Sequence, residues 1–412
     1  MIMNVLKKYF NKNKMFIYIL SFVLLYGVCS IAVLNTWTMS HSTHVFHLVD
    51  FSMGFCSRFL PGAIYNFLFD DLSVQAVSVY NFIIYIIFLI LVAFLCAKLV
   101  NNSAKESKPA MLTTLLFFLT GPTIFSMLNF ERGTLDHYWI YFASLSILFL
   151  SNKYFYALIV IFSLLSVMVN VGSMITYIPF IVLLMIYKTT VLTVKKEKTY
   201  LWCIISFTII STFLLTLYFL VYERSNLVYS FEDFNSILKS RGYEQNISTY
   251  YSSILYSESY YDEATAETFD YLNANYTGFL ARLFFRISVT FDSLEFLDVV
   301  HPLLLMTPVL VIIFSFISKT FKSTGNKIKK FTLLCMCGMF FLTLLGGAIF
   351  SSDSCRFLGH AYTLLFASVL YISQYEKDSV SVLCKTITKN IPACFLILYC
   401  ICYSSVLLNP VG

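Results

Sequence analysis

The segment SVYNFIIYIIFLILVAFLCA, residues 78–97, carries no charged side chain and is followed at once by Lys98. At 1.5 Å of rise per residue, a helix of this length covers the ~30 Å hydrocarbon core of a bilayer. Its apolar residues are continuous and not confined to one face, so the whole circumference suits lipid or other apolar helices. Lipid offers no partners to backbone N–H and C=O groups, and a helix satisfies them within the segment itself. A barrel would need short alternating segments, which are absent.

Similar blocks recur along the chain at 15–34, 110–128, 138–150, 154–169, 174–187, 200–222, 297–318, 331–350, 361–375 and 391–408. Together they predict an all-α integral membrane protein with about eleven transmembrane helices, forming a single polytopic membrane domain over residues 1–412. Composition agrees: 58% of residues are hydrophobic and only 12% charged, about half the charged fraction of a soluble domain. The first block follows Lys7, Lys8, Lys12 and Lys14 and lacks a clear small-x-small cleavage site, so it reads as a retained anchor. Splitting 154–187 at 170–173 puts Lys153 and Lys188 on one side, as the positive-inside rule requires. The eleven cysteines have no metal or disulfide spacing, and most lie within apolar blocks as small hydrophobes.

The same rule predicts a multi-pass cell-membrane protein with a cytoplasmic N-terminus and an outer C-terminus. On that layout the basic residues of the inner segments are all lysine, while Arg58, Arg132, Arg224, Arg241, Arg282, Arg286 and Arg356, every arginine in the chain, lie outside. Topology disfavours outer cations, so the arginines need another reason. Their planar fork binds phosphate or carboxylate bidentately and stays charged when desolvated. Loop salt bridges with outer acids are the bland alternative.

Two long outer loops are expected. The first, 35–77, carries His41, His44, His47, Asp50 and Arg58; the second, 223–296, ends in an apolar stretch with Arg282 and Arg286 that reads as an interfacial helix. Short outer links carry Arg132, Asp136 and His137, and Asp353, Arg356 and His360, directly at block ends. His41, His44, His47 and Asp50 recur every three residues, but in an α-helix such positions drift by about 60° per step and cannot all converge. The run is therefore read as polar residues on a surface helix, with no metal site. Asp50 precedes an apolar stretch containing Arg58, where a partly desolvated carboxylate near a cation makes a general base; the alternative is an N-cap of the following helix.

A P-loop, a Rossmann fingerprint and a nucleophile elbow are all missing, and no cofactor or nucleic-acid partner is expected. With Asp50 early in a long first outer loop and a second long outer loop after the seventh block, the chain resembles the GT-C superfamily of membrane glycosyltransferases. That resemblance is one of layout. It implies a polyprenyl-phosphate-linked sugar donor in membrane lipid, a glycan or other outer-face acceptor, and a first-loop carboxylate as base, here Asp50. On physical grounds Arg58, Arg132 and Arg356 would hold the donor phosphate, with Asp136, Asp353, His137 and His360 as further substrate contacts. A polysaccharide polymerase or ligase acting on lipid pyrophosphate-linked glycans fits the same features. A secondary transporter or flippase fits less well, because the blocks carry no charge in their central turns.

Overall fold

The computed structural model describes residues 14–34, 41–102, 108, 133–222, 225–243, 295–350, 354–376 and 378–380. Among these residues the chain forms helices and no strands: α1 (Lys14–Leu34), α2 (His41–Leu48), α3 (Leu60–Leu68), α4 (Val74–Asn102), α5 (Leu135–Phe149), α6 (Tyr156–Val169), α7 (Tyr177–Val191), α8 (Lys195–Tyr222), α9 (Phe231–Ser240), α10 (Glu295–Ser323), α11 (Lys327–Phe350) and α12 (Ser354–Ser373). Each apolar block within the described residues is occupied by a helix; the blocks at 110–128 and 391–408 fall outside them.

Three segments are long and apolar enough to cross a membrane by length and composition: Val74–Lys98, Val171–Val191 and Lys195–Tyr222. The last also turns an apolar face outward. Phe207, Ile210, Leu214, Leu220 and Val221 are all exposed, while Thr208 and Thr212 are buried. Such a surface would be a liability in water and is what a lipid-facing helix presents.

The break within 154–187 has a local cause. Asn170 leaves the helix in an extended conformation, and its side chain accepts the Gly172 N–H at 2.9 Å, capping a 3₁₀ turn over Val171–Met174. Such side-chain caps offer the backbone an alternative to continued helix. Pro179 then sits in the first turn of α7, where a missing N–H costs nothing.

Helix α7 is the hub, packing on α5, α8, α11 and α12; α1 pairs with α4, α5 with α6, α6 with α8, and α12 with both α10 and α11. At one end, here the lysine end, the helices are knitted by polar contacts. Tyr187 donates to Glu376 at 2.6 Å, Lys329 pairs with the same carboxylate, and Lys188 donates to the Tyr375 hydroxyl at 2.8 Å. The opposite, arginine end is covered by α2, α3 and the chain between them.

That cover is seated by close backbone approaches. A Cβ on Gly62 would fall 1.8 Å from the Val49 carbonyl oxygen, so only glycine lets α3 lie against that strand of chain. Gly54, at φ +142°, pairs with Leu227, and Val228 N–H donates to Met53 O at 3.1 Å, joining the first long loop to the start of the second. The sequence places the histidine run on a surface helix; the structure instead buries His44 and His47 completely. Short α2 lies beneath α3 and against α4, where Asn81 and Tyr138 satisfy the His47 ring.

Candidate functional site

Asp50 lies between α2 and α3. One oxygen accepts the Ser52 N–H at 2.8 Å and the Ser52 hydroxyl at 2.5 Å. The other accepts from Asn66 at 2.7 Å and from Arg241 at 2.8 Å. Asp50 is thus the N-cap of the 3₁₀ turn Phe51–Met53 and also half of an ion pair. Half-burial pushes its pKa up, but the hydrogen bonds from Ser52, Asn66 and Arg241 outweigh this and hold the carboxyl below its usual range. It is ionised at neutral pH, as a base must be, and an incoming hydroxyl has to displace one existing donor. Ser52 is the exposed one of those donors.

Arg241, just past α9, also donates to Leu48 O at 2.5 Å, so one guanidinium grips both the carboxylate and the end of α2. The sequence places Arg241 outside among the other arginines, with no local mark of a site. Its partner is 191 residues away, and nothing local marks the pairing.

Arg58 is the one non-glycine residue with positive φ, at 73°, among the described residues. Its N–H donates to Met168 O at 2.9 Å, which fastens the first loop to the end of α6. A left-handed conformation costs about 1–3 kcal/mol and persists where surrounding contacts impose it.

A second polar cluster joins the starts of α5 and α7 to the second turn of α12. Asp136 stands in the first turn of α5 and accepts from His360 Nε2 of α12 at 3.0 Å; Tyr177, the first residue of α7, contacts His360 Nδ1 at 2.6 Å. All three are buried. Nε2–H donates to the carboxylate and Nδ1 faces the Tyr177 hydroxyl, so both ring nitrogens are engaged. Trp139 packs at 5.9 Å from the His360 ring and 5.6 Å from Tyr177. His137 faces elsewhere, its Nδ1 accepting the Gly133 N–H at 2.9 Å.

Of the residues expected at the site, the structure brings Asp136 and His360 into contact, gives His137 a separate partner, and ties Asp50 to Arg241. Arg132 and Asp353 lie outside the described residues. Arg356 is on α12, with its side chain likewise outside them. Asn66 and Tyr177 are additional members. Tyr177 stands at the junction of a polar turn and an apolar helix, the only signal it gave. Among the described residues, no three His, Cys, Asp or Glu side chains gather as a metal would require.

A cavity of about 240 Å³ opens between α3, α4 and α5. Ile84, Ile87, Leu91 and Leu145 form its apolar length; Tyr80 and Tyr138 stand at its arginine end. There the Tyr138 hydroxyl meets His47 at 3.1 Å, and Asn81 reaches the same imidazole at 3.1 Å. Burial pushes the His47 pKa down to about 3, so the ring is neutral. From Tyr80 to Leu91 the cavity follows α4 for about 16 Å at helical rise.

No protein-family model, no characterised protein and no solved structure matches this chain.

Proposed function

We propose that the protein is a membrane glycosyltransferase of GT-C-like layout that uses a polyprenyl-phosphate-linked sugar donor at the outer face of the cell membrane. In this reading about eleven helices cross the bilayer, the N-terminus and the lysine end are cytoplasmic, and the arginine end and C-terminus are outside. The acceptor is a glycan or another outer-face hydroxyl in cell-surface assembly.

The observation that carries the proposal is the Asp136–His360 contact at 3.0 Å. In the sequence Arg356 stands four residues before His360, and Arg132 four residues before Asp136. The contact joins the first turn of α5 to the second turn of α12, with the start of α7 alongside, and in this reading the donor phosphate sits there. The starts of α5 and α7 carry partial positive charge, which suits a phosphate leaving group, and the proposal assigns Arg132 and Arg356 to the same phosphate. In the proposal the apolar cavity alongside Tyr138 takes part of the prenyl chain.

In the reaction the acceptor hydroxyl takes the place of Ser52 at Asp50, which accepts its proton as the oxygen attacks the anomeric carbon. The carbon–oxygen bond to the lipid phosphate breaks, and the arginines stabilise the phosphate that leaves. The test is reconstitution of the full chain in liposomes with polyprenyl-phosphate hexoses and an oligosaccharide acceptor, following release of polyprenyl phosphate. Turnover abolished in Asp50→Asn and sharply reduced in Arg132→Lys is the expected result. Absence of both turnover and lipid-phosphate binding by the wild type, across a panel of hexose donors, would reject the reading.

A further inference from the structure

We propose that the cleft between α4, α5 and α12 at the lysine end binds an anionic glycerophospholipid, with one acyl chain in the cleft and its phosphate at Lys98. The inference rests on the membrane reading and is independent of the transferase reaction.

The cleft is apolar in depth and polar at its mouth. Phe88 and Leu95 of α4, Ile147 of α5 and Leu370 of α12 form its walls, while Lys98 and Gln374 stand at the lysine end. From Phe88 to Lys98 the helix rises about 15 Å, half of the ~30 Å hydrocarbon core, so the cleft is one leaflet deep. Phe88, packed on Tyr141 at 4.8 Å between ring centroids, lines both this cleft and the cavity beside Tyr138, which lies toward the arginine end. A chain entering from the lysine end reaches Phe88 at mid-depth, as one leaflet's lipid does.

Charge selects the headgroup. Lys98 is half-buried and lines the cleft, and an interfacial lysine lays its aliphatic stem on apolar surface while keeping its ammonium toward the headgroups. Ser151 also lines the mouth, on the link that carries the exposed Lys153. On the cytoplasmic side, where anionic lipids concentrate, each lysine near the surface favours an anionic headgroup by about fivefold.

The probe is phosphatidylglycerol against phosphatidylcholine of the same chains. The full-length protein is equilibrated in mixed nanodiscs, released, and its retained lipids are counted by native mass spectrometry. Wild type is expected to retain phosphatidylglycerol several-fold over its bulk share. Lys98→Gln should still hold a lipid but lose about fivefold of that preference, and Ala367→Trp, which fills the cleft, should hold neither. Equal retention of the two lipids by wild type, or a preference unchanged in Lys98→Gln, overturns the proposal. Should Ala367→Trp fail to fold, the rim variant decides alone. Loss of glycosyl transfer with lipid retention intact, or the reverse, separates this site from the one at the arginine end.

Discussion

His360 Nε2 and Asp136 Oδ2 lie 3.0 Å apart across 224 residues of sequence, and Tyr177 closes on the other ring nitrogen from a third helix. The three side chains are buried, so none can trade its partner for water. Removing one partner of such a pair leaves a buried polar group stranded and costs about 1–3 kcal/mol, more where the group left is charged. His360→Ala and Asp136→Ala are each expected to lose stability on that order in detergent unfolding. The double variant should lose less than their sum, with a coupling of about 1–3 kcal/mol. Additive losses would mean that the contact contributes nothing specific.

Gly54 carries the join between the two long loops. A Cβ there would lie 2.5 Å from the Asn226 carbonyl oxygen, and its φ of +142° disfavours any L side chain. Gly54→Ala is expected to open the contact with Leu227 and Val228, raising protease cleavage near residues 225–230 while α4 and α8 stay protected. An unchanged digestion pattern would show that the join is not needed.

The long apolar helices were legible because their signal is local. α4 and α8 follow from continuous apolar runs, and the break at Asn170 from a turn-forming residue between flanking lysines. The contacts that build the site were not local. Arg241 finds Asp50 over 191 residues, and His47 is buried because α2 folds inward onto Asn81 and Tyr138, although three-residue spacing of histidines suggested a polar surface. Spacing tells which face of a helix a residue shares; it does not tell which side the rest of the chain covers. Asp50, whose position before an apolar stretch fits either a base or a cap, caps the turn Phe51–Met53 through its side chain.

Burial of neutral His47 makes stability fall in acid. Its folded pKa, about 3, is below the ordinary 6.5, so the unfolded chain binds a proton that the folded chain refuses. Stability is fully present above 6.5 and declines as pH falls toward 3, by up to about 1.4 kcal/mol per pH unit from this ring. Thermal unfolding at pH 7.5 and 5.5 should show the loss, and His47→Gln should flatten it. The neighbouring His44 and the tyrosines at 65, 80 and 138 are kept constant in that comparison.

Orientation follows from the lysine end. A single cysteine at Ser236 on α9 is expected to react with an impermeant maleimide added to intact cells, and one at Gly325, between α10 and α11, only after permeabilisation. The reverse pattern would place the arginine end inside and remove the outer-face donor with it.

Arg241 supplies the sharpest test of Asp50. In the proposed reaction Asp50 must be ionised to take the acceptor's proton, and Arg241 is one of the donors that hold its pKa down. Arg241→Ala removes that cation while Ser52 and Asn66 remain, so the Asp50 pKa rises. The acid limb of the pH–rate profile should then move to higher pH, with the plateau at neutral pH reduced far less than in Asp50→Asn. Arg241→Lys restores charge but not the two-point grip on Asp50 and Leu48, and should return the limb most of the way. A purely structural pair gives a different result: Arg241→Ala would lower stability and the rate together at every pH, leaving the limb where it was. That outcome would take Asp50 out of the reaction and leave it as the cap that its geometry already makes it.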